Sequence, residues 1–341
     1  MKKKTSLKDI AQEAGVSTAL VSYVLTNKEE KARVGQEMAK KIRKIASRLN
    51  YQPNHIARSL KSGRSDTIGL IVADISNPFF GNIARTIEDE AKRNNYTVIF
   101  GSSDENLEKS GDLINVLLNR QVDGLILIPT EGSEQQIKQL QKQPVPFVLI
   151  DRYFPQIPVS QIGINNYQAS YNAITHLVKT GRQRIGMIAY KTALYHINER
   201  KRGYTEALAS HSQQPSLMKL ARYSHIREET RQAIDQLLQG RKPADAVFFA
   251  TNSLAIEGLK YINELGVRVP EDLAVVSFDE SEAFDLYYSP ITFIRQPILE
   301  MGNAAVRLLL EHIKDGDKPA ENVCIDTALV IRQSSNRQKK K

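Results

Sequence analysis

The sequence predicts two structural classes in one chain: a small all-α head of three short helices, then a large α/β body of parallel sheets in two lobes. Three observations carry this. Charge is segregated, with 15 Lys/Arg against 5 Asp/Glu in residues 1–65 and a balance of −1 over 66–341. Apolar residues recur at helical spacing as far as Leu49. Beyond residue 66, short apolar runs alternate with amphipathic stretches, as strands and helices do in parallel α/β folds. The chain has 341 residues, and the roughly 275 after the head are more than one such sheet comfortably carries.

In the head, Ser6 followed by Asp9 has the form of a capping box, and Leu7, Ile10, Ala11 and Ala14 share a face over Leu7–Ala14. Gly15 supplies the permissive backbone of a tight turn. Ser17 can cap a second helix, Thr18–Leu25, with Leu20, Val21, Val24 and Leu25 inward and Thr18, Ala19, Ser22 and Tyr23 outward. A helix, a glycine turn and a second helix with an outward polar face form a helix-turn-helix. A third helix, about Gln36–Leu49, stripes Met38, Ile42, Ile45, Ala46 and Leu49, with Lys40, Lys41, Arg43, Lys44 and Arg48 over much of the rest. Pro53 limits how far it can run, and Lys61–Asp66 reads as a flexible linker. A basic head on a mildly acidic body is the layout of a nucleic-acid-binding module fused to something else.

In the body, the strand candidates are Ile68–Ala73, Val98–Gly101, Gly124–Ile128, Val148–Ile150, Ile185–Ala189, Ala246–Phe249 and Ala274–Phe278. Composition is that of a soluble globular protein, 41% hydrophobic and 25% charged, with mean hydropathy −0.37. One cysteine, Cys324, leaves no disulfide framework, and no apolar run approaches the roughly 20 residues of a membrane helix. The basic N-terminus is not followed by an apolar segment, so no secretion signal is expected and the chain is placed in the cytoplasm. Catalytic motifs are wanting. Ser216–Lys219 fits S-x-x-K and Lys179-Thr180-Gly181 fits K-T-G, but the order is wrong and no S-D-N follows. The six histidines show no metal-ligand spacing, so neither an enzyme, a cofactor nor a metal is expected. Asn95-Tyr96-Thr97 fits a glycosylation sequon that an intracellular protein would not use.

The strings TSLKDIAQEAGVSTALVSYVL and ARVGQEMAKKIRKIASRLNYQPNHIARSL resemble the DNA-binding head of the lactose-repressor (LacI) family. The resemblance continues through TIGLIVADISNPFF, DGLILIP, IDR, RKRGYTEAL, VRVPEDLAVVSFD and FIRQP, in the family's order and over nearly the whole chain. It implies a DNA-binding head at 1–62 with a hinge helix at about 54–61, a linker at 63–66, and an effector-binding and dimerisation body at 67–341. That body would have the periplasmic-binding-protein architecture, with one lobe about 67–165 and 297–325 and the other about 166–296. Thr18–Leu25 would enter the major groove with Thr18, Ala19 and Tyr23 facing bases, and Lys8, Ser17 and Ser22 would contact phosphates. Leu60 would be an apolar wedge in the minor groove. Tyr23 stands where many relatives carry Arg or His, and Ala19 and Leu20 replace polar residues. The bidentate guanine contact is therefore missing, and a familiar operator sequence does not transfer.

Ligand should meet residues just past the carboxyl ends of the strands. Asn77, Phe79, Phe80, Asp151, Arg152, Arg200, Asn252, Asp279 and Gln296 resemble the ligand-contacting set of ribose-binding-type proteins. Carboxylates, amides and guanidinium forks bridge neighbouring hydroxyls, and aromatic rings pack on a sugar's apolar faces. Basic residues near the cleft would favour a phosphorylated sugar, although Lys201 and Arg202 could equally face solvent. The expectation is a homodimeric, effector-controlled transcription factor, most readily a repressor of sugar-utilisation genes, with double-stranded operator DNA and a small molecule as partners and no membrane. The rivals are a purine or other metabolite as effector, or a sugar receptor without a DNA role, against which the basic head argues. The Arg337–Lys341 tail shows no heptad that would argue for a tetramer.

Overall fold

The computed structural model describes residues 5–30, 32–51, 63–211, 216–239, 241–316 and 318–336. The expected hinge helix, with Leu60, and the Arg337–Lys341 tail lie outside the described residues. The chain divides into two compact units, Met1–Ser65 and Asp66–Lys341.

In the head, α1 (Leu7–Ala14), α2 (Thr18–Leu25) and α3 (Gln36–Arg48) enclose a small core. Ile10, Ala11, Ala14, Val21, Val24, Ile42, Ile45 and Ala46 are buried in it together. The Ser6–Asp9 capping box forms as expected, and Gly15 ends α1 at φ 73°, a left-handed conformation that costs a residue with a Cβ. Ser17 accepts from the Leu20 amide and so starts α2. Part of the basic cover of α3 is used internally. Lys41 Nζ donates to the Ala14 carbonyl at 3.1 Å, and Arg43 binds the Val24 carbonyl, Asn27 and Glu29.

The body is built from β1 (Thr67–Val72), α4 (Pro78–Arg93), β2 (Thr97–Ser102), α5 (Leu107–Asn119), β3 (Gly124–Leu127), α6 (Glu134–Leu140), β4 (Phe147–Ile150) and β5 (Gln161–Ile164). The chain continues through α7 (Asn166–Lys179), β6 (Ile185–Tyr190), α8 (Tyr195–Ser210), β7 (Leu217–Ala221), α9 (Ile226–Leu238), β8 (Ala246–Phe249), α10 (Asn252–Glu264) and β9 (Ala274–Phe278). It ends with α11 (Ala283–Leu286), β10 (Thr292–Arg295), α12 (Ile298–Asp315), β11 (Asn322–Ile325) and β12 (Ala328–Val330). One sheet runs β11-β5-β4-β3-β1-β2 and the other β12-β10-β9-β8-β6-β7. The two orders are the same pattern used twice. The first sheet is parallel throughout; in the second, β12 pairs antiparallel with β10, which corrects the expectation of purely parallel sheets at that edge. A three-residue edge strand returning from the other lobe can pair this way without a crossover helix.

Both faces of the first sheet are covered, so its strands read as continuous apolar runs. Ile68, Leu70 and Val72 pack with Phe80, Ile83 and Ile87 of α4, while Ile71 packs on the other face with Ile114 and Leu117 of α5. In the second lobe, α7 and α8 approach closely at Gly203, where a Cβ would lie 2.3 Å from the Tyr167 carbonyl oxygen. Strand order reverses between β1 and β3 in one sheet and between β6 and β8 in the other. These are the switch points, where loops leave in opposite directions and open a crevice.

Candidate functional site

A cavity of about 430 Å³ lies at those crevices. Of the nine residues expected at the strand ends, Asn77, Phe79, Phe80, Asp151, Arg152, Arg200, Asp279 and Gln296 line it. Asn252 is not on the lining: it is buried as the first residue of α10, and its side chain donates to Asn77 Oδ1 at 3.1 Å. Its backbone N–H serves Asp279 instead, lowering the carboxyl's proton affinity.

The polar groups are held rather than loose. Arg152 makes a two-pronged pair with Glu105, at 2.7 and 2.8 Å, over the Phe80 ring. Burial opposes its charge, but Glu105, with Asp151 and Tyr223 behind it, more than offsets this and keeps the guanidinium protonated. Arg200 is 2% exposed, donates to Asn166 Oδ1 and to the Ala250 carbonyl at 2.8 Å each, and lies 3.4 Å from the Phe278 ring centroid. Asp279 faces it at 3.8 Å and accepts from Gln296 Nε2 at 2.5 Å. Burial raises the carboxyls of both Asp279 and Asp151, the latter to about 6, although Arg152 and Arg200 pull Asp151 down. Burial likewise pushes His196 well below the ordinary imidazole value, helped by Arg152, Arg200 and Lys201, so it lines the cavity neutral.

Five buried polar atoms on the lining have no hydrogen-bond partner among the described residues: the acceptors Asp151 Oδ1 and Gln296 Oε1, the donor Arg152 Nε, and Tyr190 Oη and His196 Nδ1. Such groups are costly in a protein interior unless something meets them.

Among the described residues, side-chain bridges join the lobes around the cavity. Asn77 meets Asn252 and Ser253; Tyr223 donates to Asp74; and Glu131 accepts from Thr192 Oγ1 at 2.8 Å and the Ala193 amide at 2.7 Å. Glu105, Glu131, Tyr190, Thr192, His196 and Tyr223 were not singled out from the sequence, yet all line the cavity. Glu105, Glu131 and Tyr190 lie at or just past the ends of β2, β3 and β6, so the strand-end rule would have found them. Lys201 and Arg202 do not line it; Arg202 is engaged by Glu199 and Glu206 over the Tyr167 ring.

In the head, Lys8, Ser17, Thr18, Ala19 and Tyr23 are exposed and Ser22 is half-buried. Thr18, Ala19, Ser22 and Tyr23 together form the outward side of α2. Among the described residues no cluster of His, Cys, Asp and Glu is arranged to hold a metal, and no helix is long and apolar enough to cross a membrane.

Comparison with known proteins gives two family matches: bacterial regulatory proteins, lacI family, over residues 6–54, and the periplasmic binding protein-like domain over residues 174–335. Catabolite control protein A of Priestia megaterium is 30% identical over 329 residues, 96% of this chain and 98% of its own. The ribose operon repressor of Halalkalibacterium halodurans is 31% identical over 332 residues, 97% of each chain. Among solved structures, a LacI family transcriptional regulator from Enterococcus faecium with bound ribose is 26% identical with a TM-score of 0.71, over 80% of this chain and all of its own.

Proposed function

The chain belongs to the lacI family of bacterial regulatory proteins, and on that premise we propose that it is a sequence-specific transcriptional repressor whose grip on its operator is set by a sugar or sugar derivative held between the lobes. The observation that carries the ligand class is the convergence of Asp151, Arg152, Arg200, Asp279 and Gln296 on one cavity with Phe79 and Phe80. The name of the ribose operon repressor and the ribose in the Enterococcus structure point the same way.

Each head would read one half of a pseudo-palindromic site, with Thr18, Ala19 and Tyr23 on bases and Lys8, Ser17 and Ser22 on phosphates. Two copies are needed for that, so the working form is a homodimer in the cytoplasm, with Leu60 as the minor-groove wedge and 67–341 as the effector-binding and dimerisation body. Ligand would shift the population of lobe arrangements and hence the spacing of the two heads, with a coupling of about 1–3 kcal/mol. No bond is made or broken in this cycle, and we assign no catalytic residue.

The test has two parts. Duplexes selected from a random pool by the full chain should share a pseudo-palindrome, and binding should weaken steeply with salt. Thermal melts with pentoses, hexoses, disaccharides and purines at millimolar concentration should then shift with one sugar class, and that sugar should change operator affinity. A shift with purines alone would replace the sugar; selection of no common sequence would remove the repressor reading.

A further inference from the structure

Five carboxyl groups line the cavity, on Asp104, Glu105, Glu131, Asp151 and Asp279, against the cations Lys191, Arg152, Arg200 and Arg222. The arginines are committed. Both terminal nitrogens of Arg152 go to Glu105, Arg200 is divided among Asn166, Ala250 and Asp279, and Arg222 is bound through its backbone and side chain by Glu229. Lys191 stands exposed at the mouth. His196 is neutral, and Lys201 and Arg202 lie outside the lining.

A buried anion needs a cation or several donors to offset its lost hydration. Each arginine of this lining already has an acidic or carbonyl partner. Among its unmet buried atoms, Asp151 Oδ1 and Gln296 Oε1 need a donor and Arg152 Nε an acceptor, while Tyr190 Oη and His196 Nδ1 can take either part. A phosphate or carboxylate group at neutral pH offers acceptors only, so where it stands against these oxygens it leaves them unmet, and it faces Asp151 and Asp279 as a like charge. A hydroxyl donates and accepts at once. Hydroxyls can give protons to Asp151 Oδ1 and Gln296 Oε1 and accept from Arg152 Nε. An ammonium group is disfavoured in turn, because Arg152 and Arg200 flank Asp151 closely enough to lower its proton affinity.

We propose that the effector is an uncharged molecule with several hydroxyls, whose hydroxyl protons go to Asp151 and Gln296, and that the Arg152–Glu105 pair excludes its phosphorylated form. This rests on the cleft being the effector site and narrows the sugar class named above. The same pair makes a chain-specific prediction: Glu105→Gln releases the Arg152 fork and so opens the cleft to an anion.

The experiment is titration calorimetry of the full chain with matched probes: ribose and ribose 5-phosphate, glucose and glucose 6-phosphate, cellobiose, adenosine and adenosine monophosphate, and inorganic phosphate. The expected result is binding of a neutral sugar, at least tenfold weaker binding of its phosphate ester, and none of inorganic phosphate. In Glu105→Gln, the ratio between sugar and ester should fall at least threefold. Ester binding as tightly as the sugar, or binding of esters alone, overturns the exclusion while leaving a sugar-responsive cleft. Binding of adenosine alone, with the monophosphate rejected, overturns the sugar reading and keeps the exclusion of phosphate. Heat from no probe overturns both. An unchanged ratio in Glu105→Gln, with the variant melting as a folded protein, removes the role given to the pair.

Discussion

Asp151 and Asp279 hold the same position in the two lobes: each is the first residue past its strand, β4 or β9, and each has φ 67°. Left-handed backbone is uncommon outside glycine, and Asp is among the residues that tolerate it best. The repeated strand order of the two sheets thus sets two carboxyls on one cavity, and each sits beside a buried arginine, Arg152 for one and Arg200 for the other. Asp279 also raises the proton affinity of Asp151, so the lobes are coupled electrostatically through the site.

That coupling predicts a pH dependence. Asp151 stands at about 6 against an ordinary 3.8, chiefly through burial. A ligand hydroxyl binds the ionised form, so affinity should be flat above about pH 7 and fall as pH drops through about 6, by roughly tenfold at pH 5. Asp151→Asn should bind more weakly and lose the step. The ligand-free protein follows the other sign: a raised carboxyl lends stability that is fully present below 3.8 and is lost as pH rises through about 6. Calorimetric affinities between pH 5 and 8 check this, and a step that survives in Asp151→Asn would assign it to another group.

Asp279→Asn should separate ligand response from DNA binding. Asp279 is 5% exposed and is the carboxylate facing Arg200, and removing one partner of a buried pair costs about 3–5 kcal/mol. The variant should therefore melt lower, fail to shift with the effector, and still bind operator, since the head folds around its own core. Operator titrations with and without effector give the answer; a normal effector response would discard Asp279 as a binding residue.

The elements that sequence reading recovers are those whose cause is local. The bounds of α1 and α2 follow from Ser6, Gly15 and Ser17, and β8 and β9 from uninterrupted buried apolar runs. Strands β5 and β10 escape because Gln161 and Arg295 cut their four residues to a shorter apolar run, and β7, β11 and β12 because they are half-exposed edge strands: Lys219 interrupts β7, β11 alternates exposed with half-buried residues, and β12 has three residues with none buried. Missing β7 also hid Tyr223, which lies two residues past its end and bridges to Asp74 across the cavity. Asn252 is a different case. Its place just past a strand is legible in the sequence, but whether a side chain there meets ligand or Asn77 depends on how far the opposite lobe reaches. Burial alone does not mark a site residue either: Arg182 is as buried as Arg200, yet it donates to the Asp245 and Pro270 carbonyls and lines no part of the cavity.

The Glu131 bridge should govern how long ligand stays. Its two hydrogen bonds to Thr192 and Ala193 cross between lobes, but Glu131 is exposed, which limits their worth to about 1 kcal/mol. Glu131→Ala should speed effector dissociation by up to about fivefold and leave the melting temperature of the ligand-free chain nearly unchanged. Stopped-flow tyrosine fluorescence, with Tyr190 and Tyr223 as reporters at the cavity, measures it. An unchanged rate would mean that the other contacts between the lobes, at Asn77 and Tyr223 among them, carry the closure.

In the head, Tyr23 and Lys8 should fail in different ways. Tyr23 projects from the outward side of α2, 45% exposed, with one hydroxyl and a ring edge to offer a base. Lys8 is exposed on α1, where an ammonium can meet a phosphate but read no sequence. Tyr23→Ala should therefore change the preferred base at one position of each half-site, at about 1–3 kcal/mol for the original base, with the salt slope kept. Lys8→Ala should weaken all sequences alike and reduce the salt slope by about 1 per head. Repeating the random-pool selection with both variants, and measuring anisotropy across a salt series, separates the two. A uniform loss for Tyr23→Ala would make it a phosphate contact and leave Thr18 and Ala19 as the residues of α2 that face bases.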